Sequence, residues 1–149
     1  MLLKDVCTLD VACCGPNTTV REAAKAMRRS HVGDLIVVDD PEGERTPIGI
    51  VTDRDLVLEV LGNGLDPNHT AVARLMRQPV VIANEDEDIT AVIARMRTHA
   101  VRRVPVVNTR GATVGIITLD DLLRMLVHEA GTLLEIVSNE QNQERRTRR

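Results

Sequence analysis

The feature that most constrains this chain is a short segment that occurs twice, at residues 49–56 and 115–122. Each copy runs glycine, two β-branched residues, threonine, two variable residues, aspartate and leucine. The apolar part is typical of a buried strand, and the polar part is typical of the first turn of a helix. Backbone N–H groups at a helix start can bind an anion, and a carboxylate there can accept hydrogen bonds from hydroxyl groups. The repeated turn therefore predicts two candidate sites for a sugar phosphate.

The duplication extends over the elements that surround the motif. Apolar runs predict three strands in the first half, at residues 11–14, 35–38 and 48–52. Equivalent runs predict three strands in the second half, at residues 80–83, 104–107 and 114–118. Helices are predicted after the first and third strand of each half, beginning with a capping box at Thr19 and Glu22. The sequence therefore predicts an α+β fold of two tandem β-α-β-β-α repeats packed with pseudo-twofold symmetry.

The repeat also sets the predicted boundaries of the domains. We expect a first domain at 6–62, a linker at 63–74, a second domain at 75–132, and a C-terminal helix extension and tail at 133–149. The last helix is predicted to continue to Val137, and the polar tail after Ser138 is predicted to fray. Pro105 lies inside a predicted strand, which indicates an edge strand or a local irregularity, because proline cannot donate a ladder hydrogen bond.

Composition limits the classes of protein that this chain can be. The 149 residues are 43% hydrophobic, which is enough for one core or for two small halves that share a core. There is no Phe, Trp or Tyr, so a nucleobase would have to lie between aliphatic side chains. The net charge of −3 and the lack of a basic recognition helix argue against nucleic acid binding. No apolar run reaches the roughly 18 residues of a membrane span, so we expect no membrane association and a cytoplasmic location.

Cysteines, histidines and catalytic motifs add little chemistry. Cys7, Cys13 and Cys14 are expected to be small apolar residues on or beside a strand, and a redox role stays open. The four histidines are scattered without the spacing of metal ligands, so no metal site and no required cofactor are predicted. The sequence has no nucleophile–base pair and no glycine-rich phosphate loop at a recognisable spacing. We therefore expect that the protein is not an enzyme.

The two copies of the repeated segment, at 49–56 and 115–122, lie in matching β-α-β-β-α contexts and resemble the signature of the CBS domain. Their tandem arrangement resembles the pair called a Bateman module. The resemblance covers about residues 6–62 and 75–127, and it is to a stand-alone pair without an attached enzyme, channel or transporter domain. It implies a disc-like module with two clefts, often a homodimer, that regulates a partner protein. It also implies an adenosine-containing ligand such as AMP, ADP, ATP, NAD or S-adenosylmethionine.

Carried over residue by residue, the resemblance implies two unequal clefts. Thr52 and Asp55 would face segment 101–104 and the two residues Val80 and Val81. Thr118 and Asp121 would face segment 32–35 and the two residues Val11 and Ala12.

Charge distinguishes these two clefts, because Arg103 aligns with Asp34. An arginine can pair with a phosphate, whereas an aspartate repels it. Arg103 is therefore expected to favour a phosphorylated nucleotide in the Asp55 cleft, and Arg77, which aligns with Thr8, is a second candidate contact. The Asp121 cleft is expected to be empty or to take an uncharged adenosine moiety.

Two alternatives stay open at the level of sequence. A threonine followed three residues later by an acid also caps a helix, which stabilises it by about 1 kcal/mol without any ligand. Capping and ligand binding are compatible in one motif. Arg102 and Arg103 can equally be a solvated surface pair. For the whole protein, the alternative function is a dimeric interaction or scaffold protein whose clefts do not function.

Overall fold

The computed structural model describes residues 1–148 and confirms two repeats of the same element order. The first half contains β1 (Cys13–Cys14), α1 (Val20–Ser30), β2 (Asp34–Asp39), β3 (Thr46–Thr52) and α2 (Asp53–Asp55), which continues as a π-helix over Leu56–Leu61. The second half contains β4 (Ala83–Asn84), α3 (Ile89–His99), β5 (Arg103–Val107), β6 (Thr113–Thr118) and α4 (Leu119–Thr147). A 3₁₀ turn precedes each half, at Leu3–Asp5 and at Val72–Arg74.

Each half forms its own three-stranded sheet, and the two sheets have the same topology. The order is β1-β2-β3 in one and β4-β5-β6 in the other, with the first pair parallel and the second pair antiparallel. The register places the first residue of each middle strand opposite the threonine of the repeated motif. Asp34 lies opposite Thr52, and Arg103 lies opposite Thr118. The α+β fold with pseudo-twofold symmetry is therefore confirmed.

Of the two alternatives predicted at Pro105, the edge strand is wrong, because β5 is the central strand of its sheet, whereas a local irregularity is present beside it as a shift of register. Pro105 is fully buried and pairs with Ile116 of β6. On the other side of β5, the short strand β4 pairs only with Val106 and Val107, just beyond the proline. Proline is tolerated at position 105 because β4 does not extend that far, so the N–H that proline lacks would have no strand partner on the β4 side. A shift of register follows immediately, between Val106 and Val107.

The two halves exchange segments with each other. Thr8, which precedes the first repeat, pairs with Ile116 of β6, and Arg77, which precedes the second repeat, pairs with Ile50 of β3. The 3₁₀ turns at Leu3–Asp5 and Val72–Arg74 also pack against the opposite half. Leu3 is fully buried in the core of the second half, and Val72 is fully buried in the core of the first half. Each hydrophobic core thus contains a side chain that lies outside its own β-α-β-β-α unit.

Helix α4 is longer than the sequence predicts. It spans 29 residues and ends at Thr147, so the segment after Ser138 is helical and the expected fraying is not observed. Glutamate, glutamine and arginine dominate this segment, and all three have high helix propensity. Among residues 1–148, neither α4 nor any other helix has an apolar stretch long enough to cross a bilayer. Arg149 lies outside the described residues.

Candidate ligand-binding clefts

The first copy of the motif forms a reciprocal cap at the start of α2. Thr52 N–H donates to Asp55 Oδ2 at 2.9 Å, and Asp55 N–H donates to Thr52 Oγ1 at 3.2 Å. Asp55 is only 8% exposed, which is low for a carboxylate. The strand ending at Thr52 and the helix starting at Asp53 therefore fix the orientation of this carboxyl group.

The second copy repeats this geometry at the start of α4. Thr118 N–H donates to Asp121 Oδ2 at 2.9 Å, and Asp121 N–H donates to Thr118 Oγ1 at 3.2 Å. The Thr118 hydroxyl also donates to Asp121 Oδ2 at 2.7 Å. The predicted capping role of both motifs is thus confirmed, with an aspartate in the place that glutamate or glutamine more often occupies.

One oxygen of each aspartate is not used by the cap. Asp55 Oδ1 lies 3.8 Å from Arg77 Nε, and Asp121 Oδ1 lies 3.6 Å from an Nη of Arg124. Both arginines are largely exposed, at 75% and 80%, so these long ion pairs hold the carboxylates only weakly. Each Oδ1 can therefore accept a hydrogen bond from a ligand hydroxyl while Oδ2 keeps the helix capped.

Arg103, which the sequence predicts to face Thr52 and Asp55, forms an ion pair with Asp34, the residue that lies opposite Thr52. Its register opposite Thr118 puts it at the end of the second sheet, where its Nε lies 2.6 Å from Asp34 Oδ2. The described ion pairs bring Arg77, and not Arg103, to Asp55. Burial raises the pKa of the Asp34 carboxyl, and the Arg103 guanidinium opposes that rise only in part. Arg103 is therefore already paired, so a phosphate would compete with Asp34 for it.

Two concave regions adjoin the repeated motif of the second half. A cavity of about 120 Å³ is lined by Asp34, Arg102, Arg103, Thr118, Leu119 and Asp120. An open cleft of about 430 Å³ is lined by Met1, Asp5, Val6, Asp121, Arg124, Met125, His128 and Glu129. Thr118 and Asp121 thus open onto separate spaces. Arg102 also pairs loosely with Asp120, at 3.6 Å, and both are exposed, whereas Arg103 is paired with Asp34.

The other predicted site residues lie in the extended segments that precede β1 and β4. Val11 packs against a small cluster of Ile36, Val38 and Ile116, which joins the two halves. Ala12 packs against the core of the first half and Val81 against that of the second. Val80 is half-buried. Their proximity to a ligand stays a prediction.

The cysteines of the described residues are all free. Burial raises the pKa of the Cys14 thiol to about 11, which keeps it protonated and unreactive at neutral pH. An Nη of Arg45 donates to Cys13 Sγ at 2.9 Å. Within residues 1–148, no three histidine, cysteine, aspartate or glutamate side chains are grouped closely enough to hold a metal ion.

The fold consists of two repeats of the same domain, and each repeat carries a capped turn with the same motif. The CBS domain family is matched over residues 3–62 and 72–128, so the chain belongs to the CBS domain family as a tandem pair. Those matches begin at the two 3₁₀ turns that the halves exchange.

Curated relatives cover most of this chain. The YlbB protein of Bacillus subtilis is 39% identical over 144 residues, which is 95% of each chain. The MK0525 protein of Methanopyrus kandleri is 32% identical over 131 residues, which is 88% of this chain and 65% of that protein.

Solved structures agree with the fold. The CBS domain pair of protein MJ0100, in complex with 5′-methylthioadenosine and S-adenosylmethionine, is 28% identical with a TM-score of 0.73. The match covers 87% of this chain and 98% of that one. A hexameric CBS-CP12 protein from bloom-forming cyanobacteria is 31% identical with a TM-score of 0.70, over 83% of this chain and 69% of that one.

Proposed function

We propose that this protein is a regulatory module that binds an adenosine-containing ligand in the clefts between its repeats. The observation that carries the proposal is that the Oδ1 of Asp55 and of Asp121 is not used by the helix cap and has only a long ion pair to an exposed arginine. A ribose presents two neighbouring hydroxyl groups, and a buried, oriented carboxylate oxygen is a strong acceptor for them. The adenosine ligands of the MJ0100 pair support this ligand class.

The two clefts are proposed to differ in the phosphate content of their ligand. At the proposed Asp55 cleft, Arg77 lies beside the carboxylate, whereas the pseudo-equivalent position of the other repeat holds Thr8. A guanidinium can move from the carboxylate to a phosphate at little cost, because it is exposed and only weakly paired. We therefore assign AMP, ADP, ATP or NAD to the Asp55 cleft. An uncharged adenosine moiety suits the Asp121 cleft, whose lining includes the carboxylates of Asp5 and Glu129.

A regulatory role is preferred to catalysis because the two motifs orient carboxylates as hydrogen-bond acceptors that also cap a helix. The proposed partners are a small adenine nucleotide, a second copy of this chain, and a regulated protein that this sequence does not identify. The alternative is an interaction protein with clefts that bind nothing.

Isothermal titration tests the proposal against this alternative. AMP, ATP, adenosine and S-adenosylmethionine are titrated into the wild type and into the Asp55→Ala and Asp121→Ala variants. The matched control is Asp53→Asn, because Asp53 is an exposed acid in the same turn that accepts only from the neighbouring Arg54 N–H. We expect each site variant to lose binding at its own cleft and the control to keep it. Absence of heat with every ligand in the wild type would favour the interaction protein.

A further inference from the structure

The ion pair of Asp34 and Arg103 joins the two repeated motifs. Asp34 lies opposite Thr52 in the first sheet, and Arg103 lies opposite Thr118 in the second sheet. Their side chains meet with Arg103 Nε 2.6 Å from Asp34 Oδ2. The side chain of Asp34 is 20% exposed and that of Arg103 is 38% exposed, so water screens the contact only in part. A charge-assisted hydrogen bond of this length is among the strong ones.

The cavity of about 120 Å³ beside this pair has charges of both signs in its wall. Asp34 and Asp120 supply two carboxylates, and Arg102 and Arg103 supply two guanidinium groups. These four formal charges cancel, so the wall has no net attraction for an anion. Burial raises the pKa of the Asp34 carboxyl, and the nearby carboxylate of Asp53 raises it further. The cavity therefore accepts an anion only if a guanidinium is released from its carboxylate.

The other hydrogen-bond donors described at this cavity are already used. The Thr118 hydroxyl donates to Asp121 Oδ2 at 2.7 Å, and Leu119 N–H donates to the carbonyl oxygen of Arg102 at 2.9 Å. The Arg102 side chain is 69% exposed, and its ion pair is long, at 3.6 Å. Arg103 is the less exposed of the two arginines, and charges interact more strongly away from water. The availability of Arg103 therefore decides whether a phosphate can bind in the cavity.

We propose that Asp34 determines the charge of the ligand by holding Arg103 as an internal counter-ion. The carboxylate occupies the guanidinium that a second phosphate group would need, so the protein selects an adenosine ligand with one phosphate or none. This inference rests on the proposed function, because Asp34 is the strand neighbour of Thr52 at the Asp55 cleft. Arg77, beside Asp55, stays the contact for a single phosphate. AMP is therefore preferred to ADP, ATP and NAD.

Calorimetric titration of inorganic pyrophosphate into the full chain tests the role of Asp34 without an adenosine ligand. Asp34→Asn keeps the size of the side chain, removes its charge and frees Arg103. The variant is expected to bind pyrophosphate at least about tenfold more tightly than the wild type, as one charge-assisted hydrogen bond allows. A merely structural ion pair would give no such gain, and its absence overturns the proposal.

A double variant shows whether Arg103 carries the gain. Asp34→Asn combined with Arg103→Gln is expected to bind pyrophosphate no more tightly than the wild type. A gain that survives in the double variant overturns the proposal, because another group would then bind the anion. Circular dichroism confirms that both variants keep the helix content of the wild type.

The matched control is Asp120→Asn, which removes one carboxylate from the wall of the same cavity. The ion pair that it breaks is long and exposed, so the gain in pyrophosphate binding is expected to stay below about threefold. Equal gains in Asp34→Asn and Asp120→Asn would assign the effect to the net charge of the cavity. That result overturns the role of the Asp34–Arg103 pair.

Titration of adenosine, AMP and ADP provides a second test, whose first part uses the wild type alone. The wild type is expected to bind AMP more tightly than ADP, and the opposite order overturns the proposal. Asp34→Asn is expected to strengthen ADP binding about tenfold and to leave adenosine binding unchanged. Failure of the proposed function gives a different result, because then no adenosine ligand binds, whereas the pyrophosphate titration still measures the effect of Asp34.

Discussion

Asp34 and Arg103 occupy equivalent positions in the two repeats and form an ion pair with each other, with Nε and Oδ2 2.6 Å apart. Each is the first residue of a middle strand, and each lies opposite the threonine of its own motif. The symmetry of the fold thus brings together two equivalent positions, and the sequence places opposite charges there. The same pair lines the cavity beside Thr118, so the stability of the fold and the electrostatics of that cavity are coupled.

The first prediction concerns this pair. The pKa of Asp34 is raised in the folded state. The contribution of Asp34 to the free energy of unfolding is therefore present at low pH and is lost as the pH rises through that raised pKa. The Arg103→Ala variant lacks the guanidinium charge that limits this loss of stability with rising pH. We expect the variant to be less stable by about 1–2 kcal/mol at pH 7, with a smaller difference as the pH falls towards 4 and Asp34 becomes protonated.

Urea denaturation at both pH values measures the effect of Arg103→Ala. The control is Arg102→Ala, whose exposed pair with Asp120 predicts a change of roughly 0.5 kcal/mol or less. A loss of stability that is the same at pH 7 and pH 4 would contradict the assigned cause.

The second prediction concerns the pair of Arg95 and Glu87, for which the pH dependence of stability has the opposite sign. Two hydrogen bonds from Arg95 to Glu87, at 2.6 and 3.1 Å, lower the pKa of the Glu87 carboxyl. The stability from this pair is therefore present above the ordinary glutamate pKa and is lost as the pH falls through the lowered value. Glu87→Gln is expected to cost about 1 kcal/mol at pH 7 and nearly nothing once the wild-type carboxyl is protonated. Thermal unfolding at a series of pH values measures this, and a constant difference would count against it.

The third prediction compares the two motif glycines. A Cβ on Gly115 would lie 2.7 Å from the carbonyl oxygen of Thr8, which is backbone of the exchanged segment. A Cβ on Gly49 would lie 2.8 Å from the Sδ of Met76, whose side chain can move. We therefore expect Gly115→Ala to destabilise the protein by about 1–3 kcal/mol and Gly49→Ala to cost less. Chemical denaturation of both variants gives the comparison, and equal costs would show that the Thr8 backbone yields easily.

The fourth prediction tests the proposed phosphate contact. Arg77→Ala is expected to weaken AMP binding about tenfold, which corresponds to one exposed charged hydrogen bond, and to leave adenosine binding unchanged. Arg74→Ala is the matched control, because Arg74 is an exposed arginine three residues earlier in the chain. Titration calorimetry measures both ligands. Equal weakening of AMP and adenosine would assign Arg77 to the orientation of Asp55 and not to a phosphate.

Local patterns predicted the parts of this structure that depend on neighbouring residues. The capping box at Thr19 and Glu22 and the caps at both repeated motifs follow from sequence spacing alone, and all are present. The π-helical continuation after Asp55 was not predicted, because α- and π-helices share the same residue types.

The rest depends on contacts between distant segments. Alignment of the repeats placed Arg103 and Asp34 in separate clefts, because an alignment compares equivalent residues without showing that symmetry can make them touch. Arg124 was missed as a neighbour of Asp121, although its spacing of three residues on a helix was a usable signal. The spacing of residues in the sequence does not predict the exchange of segments, since nothing distinguishes Leu3 and Val72 from other apolar residues in loops.

That exchange makes the two repeats one cooperative unit. A repeat separated from its sibling would lose a fully buried leucine or valine and the outer neighbour of its last strand, and it would expose a hole of several methyl groups. The Asp55 turn is joined to the other repeat through Arg77, whose side chain lies beside Asp55 and whose backbone pairs with Ile50 and continues into the second repeat.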